Sequence, residues 1–286
     1  MFFKPMLSES YDEPFDDDEY IFEPKLDGCR LLFSQTNKIT ALYDRFQHNV
    51  TRLFPELYHI GVDDDIVLDG VAANVNRSTG LIDSAGITRR LGMRKRSDIN
   101  TDSVHNPCQY IVFDILHYKG RDLRGLPLSK RREILRQLVF GNPNMGFMPY
   151  IADKGSRLFE EIRRRSICGM IAKRKDSLYV GERCDEWLNI RHRQHGDFYI
   201  TGYRTDNFGI NVAAVEQGEG LRSLGTVTAG LTLIDRMTLL AVAKQLAVTE
   251  HDNIVSLRPA VKARVEFDSY TRKGHLSEPR FVKFIV

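Results

Sequence analysis

The sequence predicts an α+β chain: antiparallel sheets with flanking helices over residues 1–196, then a small all-β barrel over residues 197–286. Three observations carry this expectation. Short apolar runs ended or joined by Asp-Gly pairs recur through the first part, as antiparallel strands with tight connections require. Residues 129–140 place Ile134, Leu135 and Leu138 on one face at helical spacing. After Gly196 the pattern shifts to five short strands and one helix-like segment in about 90 residues, the content of a Greek-key barrel.

In chain order, residues 1–19 read as an extended arm, with Pro5, Pro14 and dense acid from Asp12 to Glu19. Residues 20–22 and 29–33 are strands around the turn Lys25-Leu26-Asp27-Gly28, and residues 40–43 form another. Residues 50–58 read as a helix start capped by Asn49. Residues 66–70 are a strand closed by Asp69-Gly70, and 109–116 a buried one. Residues 167–173 and 187–192 complete the first part. The second holds strands at 198–203, 212–215, 225–230, 261–270 and 281–286, with a helix at 233–246.

Net charge is only +3, which by itself does not call for a nucleic-acid partner. Three basic clusters do more: Arg89, Arg90, Arg94, Lys95 and Arg96; Lys130, Arg131 and Arg132; Arg163, Arg164 and Arg165. Each is either a solvated helix face or part of a phosphate track. Cys29, Cys108, Cys168 and Cys184 form no C-x-x-C pair, which excludes the usual zinc and redox motifs. No apolar run reaches membrane-spanning length and no signal-peptide pattern opens the chain. A cytoplasmic monomer without membrane contact is expected.

The chemistry begins at Glu23-Pro24-Lys25-Leu26-Asp27-Gly28-Cys29-Arg30. A lysine at a strand-to-turn junction, flanked by apolar residues, is open to partial desolvation. Desolvation and a neighbouring cation favour the neutral, nucleophilic amine. Arg30 is that cation and a phosphate contact, unless both are plain surface residues. Asp69 and Asp114 each end an apolar run, and Lys173-Arg174-Lys175 follows another. Singly, these also read as turn acids and a solvated edge.

Their order resembles one superfamily. Lys25-x-Asp27-Gly28-x-Arg30 is similar to the K-x-D-G-x-R attachment motif of covalent nucleotidyltransferases. Arg45 with Val50-Thr51-Arg52-x-Phe54-Pro55-Glu56-Leu57 resembles the arginine and V-T-x-x-F-P-E-L segment of ATP-dependent DNA ligases. Leu68-Asp69-Gly70 resembles their L-D-G-E. Phe113-Asp114-Ile115-Leu116 with Pro127-Leu128 and Arg131-Arg132 resembles F-D-(I/L)-L … P-L-x-x-R-R. Gly169-Met170-Ile171-Ala172-Lys173, Ser177-x-Tyr179 and Trp187-Leu188 resemble E-G-(V/I)-(V/M)-x-K … S-x-Y … W-L-K-x-K. Gly225-x-Val227-x-x-Gly230 and Arg258 to Phe281 resemble the closing OB domain of small bacterial and phage DNA ligases.

The resemblance implies an ATP-grasp-like nucleotidyltransferase domain followed by an OB-fold barrel. It also implies a three-step reaction: lysyl-AMP formation from ATP, AMP transfer to the 5′-phosphate of a nick, and sealing by the 3′-hydroxyl. Mapped residue by residue, Lys25 is the nucleophile and Glu23 accepts from the adenine amino group. Phe113 stacks on the base, and Arg30 and Arg45 touch ribose and phosphate. Lys173 steadies the α-phosphate, and Arg191 keeps the cation of the last motif. The implied cofactors are ATP and Mg2+ or Mn2+, and the implied partner is nicked double-stranded DNA.

Three positions depart from the pattern. Val71 stands where L-D-G-E ends in glutamate, Cys168 where E-G begins, and Asn189 where W-L-K has its lysine. Neither an isopropyl group nor a thiol replaces a hard carboxylate ligand for magnesium. Asp27, Asp69 and Asp114 are the remaining acids for that task. The sequence alone leaves three readings: a working ligase, a degenerate homologue that binds nicks or DNA ends, and an RNA ligase.

Overall fold

The computed structural model describes residues 1–75, 82–165, 167–216, 220–271 and 273–285. Its backbone contacts divide the chain into Met1–His192 and Arg193–Val286.

In the first unit the strands are β1 (Leu7–Tyr11), β2 (Asp16–Pro24), β3 (Cys29–Thr36), β4 (Ile39–Asp44) and β5 (Ile66–Asn74). After α1 (Ser84–Gly92) and α2 (Arg96–His105) come β6 (Cys108–Tyr118), β7 (Arg121–Asp122) and α3 (Leu128–Arg136). Then follow β8 (Met145–Phe147), β9 (Ile151–Lys154), α4 (Gly155–Arg164), β10 (Gly169–Arg174) and β11 (Arg183–Arg191). Among the described residues they form two sheets, β1-β11-β10-β2-β9 and β4-β3-β5-β6-β7, with β8 beside β6. Most pairs are antiparallel; β1 with β11 and β6 with β8 are parallel.

The sheets pack face to face through Met6, Leu32, Val67, Phe113, Leu116, Met148, Tyr179 and Trp187. The far side of the six-stranded sheet buries Phe33, Leu68, Tyr110 and Ile115 against Ile87 of α1, Ile99 of α2 and Leu135 of α3. The far side of the five-stranded sheet buries Phe22, Met170 and Ile190 against Phe159 and Ile162 of α4.

Three expectations are corrected here. Residues 1–19 are not simply an extended arm: β1 takes the sheet edge beside β11, and β2 already begins at Asp16. Residues 50–58 make two 3-10 turns, Thr51–Leu53 and Pro55–Leu57, instead of a helix. Pro55 has no N–H to continue a helical ladder, and Asn49 Oδ1 instead accepts from Thr51 N–H at 3.1 Å and its hydroxyl at 2.6 Å. Two of the basic clusters lose members to the interior, while Arg94, Lys95, Arg96 and Lys130 stay exposed. Arg90 is fully buried on Glu56 and Asp102, and Arg131 and Arg132 are buried on Asp114 and Glu23. Arg163, Arg164 and Arg165 are exposed.

The second unit holds β12 (Gln194–Arg204), β13 (Gly209–Val215), β14 (Leu221–Val227), α5 (Leu233–Leu246), β15 (Ala247–His251) and β16 (Ile254–Leu257). It ends with β17 (Lys262–Phe267), β18 (Ser269–Tyr270), β19 (Leu276–Ser277) and β20 (Arg280–Ile285). This is more strands than the five expected. A hairpin, β15 and β16, follows the helix, and the run at 261–270 breaks at Asp268. Val286, the last residue of the expected final strand, lies outside the described residues. One long strand organises the sheet. Along the edge opposite β13, residues 202–204 of β12 pair with β16 and residues 194–199 with β17. β17 in turn pairs with β20, and Ala229 makes a parallel bridge to Arg280. α5 begins with a reciprocal cap between Thr232 and Asp235.

Candidate active site

A cavity of about 200 Å³ opens where the two sheets of the first unit meet. Glu23, Lys25, Arg30, Val71, Phe113 and Lys173 all line it, as do Ser8, Met148, Ile171 and Trp187.

Strand period explains much of this convergence. Residues facing each other across an antiparallel ladder share a face, and side chains alternate along each strand. Ile171 pairs with Glu23 and with Asn189, and Lys173 pairs with Trp187. Lys25 extends the same register by donating its backbone N–H to Gly169 O at 2.8 Å. Gly169 pairs with Arg191. Glu23, Lys25, Ile171, Lys173, Trp187, Asn189 and Arg191 therefore occupy one face of one sheet. Gly169 has a φ of +145°, and a Cβ there would lie 2.3 Å from Ile190 O. Only glycine lets this turn carry Lys25 into place. Gly28 is needed for a different reason: its Cβ would meet Ala72 O at 2.5 Å.

Phe113 arrives by another device. Asp69 pairs with Asp114 and Gly70 with Val112, so Phe113 is an extra residue in β6. Such a bulge re-aims a side chain; here Phe113 lines the cavity and meets Trp187 edge-on at 6.0 Å.

The charges form two groups. Arg30 Nε donates to Asp69 Oδ1 at 3.0 Å and Nη2 to Oδ2 at 2.7 Å, while Nη1 donates to the Met6 carbonyl at 2.6 Å. The Tyr179 hydroxyl also donates to Asp69 Oδ2 at 2.6 Å. Burial, with Asp69 beside it, drives the Tyr179 hydroxyl pKa well up, so it stays a donor. In the second group Glu23 lies between two cations. Its Oε1 accepts from Arg132, and its Oε2 is 2.7 Å from Lys173 Nζ. Lys173 is 2% exposed and its Nζ stands 3.8 Å above the Phe113 ring and 4.2 Å from that of Trp187. The ammonium makes no well-directed hydrogen bond despite its ion pair. Burial lowers its pKa, Glu23 opposes this, Arg132 adds to it, and the net direction is down.

The other expected residues fall outside the cavity lining. Arg45 sits in the exposed turn after the edge strand β4 and stacks on Phe46 at 4.6 Å. Arg191 and Asn189 share the sheet face, further along β11. Asn189 Oδ1 is buried without a hydrogen-bond partner. The Cys168 thiol donates to the Lys25 carbonyl at 3.1 Å. Sequence reading assigned no role to Tyr179, Trp187 or Arg132, although each lay in a quoted segment. Met6, Ser8 and Met148 had no sequence signal at all.

The described residues do not fit a divalent ion held by the protein. No three His, Cys, Asp or Glu side chains gather among them. Asp69 is committed to Arg30 and Tyr179. Asp114 accepts from Arg131 Nε at 2.8 Å and Nη2 at 2.9 Å. For Asp69 and Asp114 the expectation that they stand in for the missing glutamates is therefore corrected; Asp27 stays a candidate for that role. Among the described residues, no helix is long and apolar enough to cross a membrane.

Comparison with known proteins gives a consistent picture. A family described as "ATP dependent DNA ligase domain" matches residues 5–191. The SPbeta prophage-derived DNA ligase-like protein LigB of Bacillus subtilis (strain 168) is 33% identical over 204 residues, covering 71% of this chain and 72% of that protein. The multifunctional non-homologous end joining protein LigD of Mycobacterium bovis is 26% identical over 281 residues, covering 91% of this chain but 35% of that protein. The chain thus spans only about a third of the LigD proteins it matches. Among solved structures, a mycobacterial DNA ligase D complexed with ATP and MES aligns over 99% of this chain and 95% of its own. The TM-score is 0.60 and the identity 24%, a shared fold.

Proposed function

Because this chain belongs to the ATP-dependent DNA ligase family, we propose that it seals nicked duplex DNA as a monomer through a lysyl-AMP intermediate on Lys25. The observation that carries the reading is the shared cavity: one nucleophilic amine, two buried aromatic rings and two further cations line a single space.

In this reading the base enters against Phe113, with its amino group donating to Glu23. The α-phosphate lies between Lys25 and Lys173. Lys25 Nζ attacks the α-phosphorus; an N–P bond forms, the bond to pyrophosphate breaks, and the displaced N–H protons pass to solvent. Lys173, whose buried ammonium lacks a well-directed acceptor, stabilises the charge that develops on the phosphoryl oxygens. Arg30 is held rigid by Asp69 and turns its remaining N–H capacity to the nucleotide. A 5′-phosphate of nicked DNA then takes the AMP, and the adjacent 3′-hydroxyl displaces it to close the strand. Arg45 and Arg191 serve the rim. No step is assigned to a protein-held metal, because the donor set does not support one.

We read Arg193–Val286 as an OB-type barrel that grips the duplex. The split pairing of β12 and the parallel bridge from Ala229 to Arg280 support barrel closure.

Intact-mass spectrometry after incubation with ATP and a magnesium or manganese salt tests the reading, beside Lys25→Ala. An AMP adduct on the wild type alone supports it. A folded wild type without adduct refutes it. It would then favour the second reading, a nick- or end-binding homologue silenced at Val71, Cys168 and Asn189.

A further inference from the structure

The paired arginines of α3 do different work. Arg131 is spent on Asp114 and on the carbonyls of Leu126 and Ser177. Arg132 faces the cavity's supports. Its Nη1 donates to Glu23 Oε1 and, at 3.0 Å, to the Phe113 carbonyl, and its Nη2 donates to the Met148 carbonyl at 2.9 Å. All three acceptors belong to residues that line the cavity, yet Arg132 itself does not line it. They come from β2, β6 and the segment after β8, so one guanidinium ties together three separately built walls. Its other flank is closed by Tyr150, whose ring centroid is 4.6 Å from the Arg132 Cζ.

We infer that Arg132 is a positioning residue for nucleobase selection: it holds the Glu23 carboxylate at the angle that reads an amino group on the base, and keeps that carboxylate from collapsing onto Lys173. This rests on the nucleotidyltransferase reading above. The physical argument is one of shared charge. Glu23 has two oxygens and two cationic neighbours. With Arg132 on Oε1, Lys173 holds only Oε2 and keeps donors for a phosphate. Without Arg132, the carboxylate has one cation left and nothing to fix its plane. It turns fully onto Lys173, and both the base-reading acceptor and the phosphate-binding ammonium lose their geometry. A planar fork suits this task where an ammonium does not, because one guanidinium holds a carboxylate and two carbonyls at fixed angles.

The test compares ATP with inosine triphosphate, whose 6-oxo group accepts where adenine's amino group donates. Binding of each is measured by calorimetry, and AMP or IMP adduct formation by intact mass, for wild type, Arg132→Gln and Arg132→Lys. Wild type should prefer ATP. Arg132→Gln should lose about ten- to a hundredfold of that preference, the worth of one hydrogen bond to a charged group. Arg132→Lys should recover melting temperature but little preference. If Arg132→Gln does not fold, Arg132→Lys decides alone. A folded variant that keeps the wild-type ATP preference overturns the inference and leaves the enzyme reading intact. A wild type that binds neither nucleotide overturns both.

Discussion

Lys173 Nζ and Glu23 Oε2 lie 2.7 Å apart with neither side chain more than 3% exposed, and the pair carries a second cation, Arg132, on the other carboxylate oxygen. A buried triad with two positive members and one negative keeps a net positive charge beside the cavity. Such an arrangement is poor for stability and suited to holding an anion. Lys173→Met should lower the adenylation rate by about 10²–10³-fold without lowering the melting temperature, since it removes the triad's excess positive charge and leaves Glu23 paired with Arg132. Single-turnover adduct formation with a parallel thermal melt checks both halves.

The same ammonium gives a pH dependence. Its folded pKa is lowered, chiefly by burial. The unfolded chain therefore binds more protons between that depressed value and the ordinary lysine value, and stability rises with pH across this window. Lys173→Met should flatten that rise. Urea midpoints measured from neutral to alkaline pH decide it; an unchanged slope contradicts the assignment.

Lys25 has a separable role. In the proposed reaction it forms the bond to AMP, while grip on the duplex comes from exposed cations and the second unit. Lys25→Ala should abolish the adduct yet leave affinity for nicked duplex within a factor of a few. Fluorescence anisotropy on a labelled nick reads this directly, and a large loss of binding would put Lys25 in the DNA contact instead.

Cys168 donates its thiol hydrogen to the Lys25 carbonyl, next to the nucleophile and where the E-G motif that this segment resembles begins with glutamate. A carboxylate there supplies the hard oxygen donor that this site lacks. Cys168→Glu should raise adenylation about tenfold and steepen its dependence on magnesium. Metal titrations of wild type and variant compare the two; identical curves would mean that position 168 is remote from the metal's path.

Arg90 is a structural counterpart to Arg132. It is fully buried and donates to Glu56, Asp102 and the carbonyls of Leu53 and Asn106. Arg90→Met leaves the buried Glu56 side chain without a cation and Asp102 with Arg89 alone, at a cost of about 3–5 kcal/mol, with adenylation per folded molecule unchanged. Burial pushes the Asp102 carboxyl up, but hydrogen bonds from Arg90 and Asn106 outweigh this and leave it below its usual range. Its stabilisation is present above the unfolded carboxylate pKa and lost as pH falls through the folded one. Wild type should therefore lose stability more steeply in acid than Arg90→Met, which chemical denaturation from pH 5 to pH 2 would measure.

Strands with strong local signals were legible: residues 109–116 and 29–33 lie within β6 and β3, and residues 233–246 coincide with α5. Helices α1, α2 and α4 were not. Ile87, Ile99, Phe159 and Ile162 carry their burial, too few apolar residues among too many charges to stand out. The basic clusters misled for a related reason. A run such as Lys130-Arg131-Arg132 looks solvated until acids distant in sequence, Glu23 and Asp114, are seen to lie against it.

The sequence by itself determined the chemistry on offer: a lysine at a strand-turn junction, an ordered set of family motifs, and the absence of two glutamates. Those are local facts of residue identity and spacing. Only the tertiary structure decided which charges are free to act. Asp69 and Asp114 are consumed by Arg30 and Arg131, Arg45 stands outside the cavity lining, and Arg132 is turned inward to hold Glu23. Ion pairing and burial join residues over a hundred positions apart, as Glu23 and Arg132 are, and no pattern of neighbours along the chain encodes that choice.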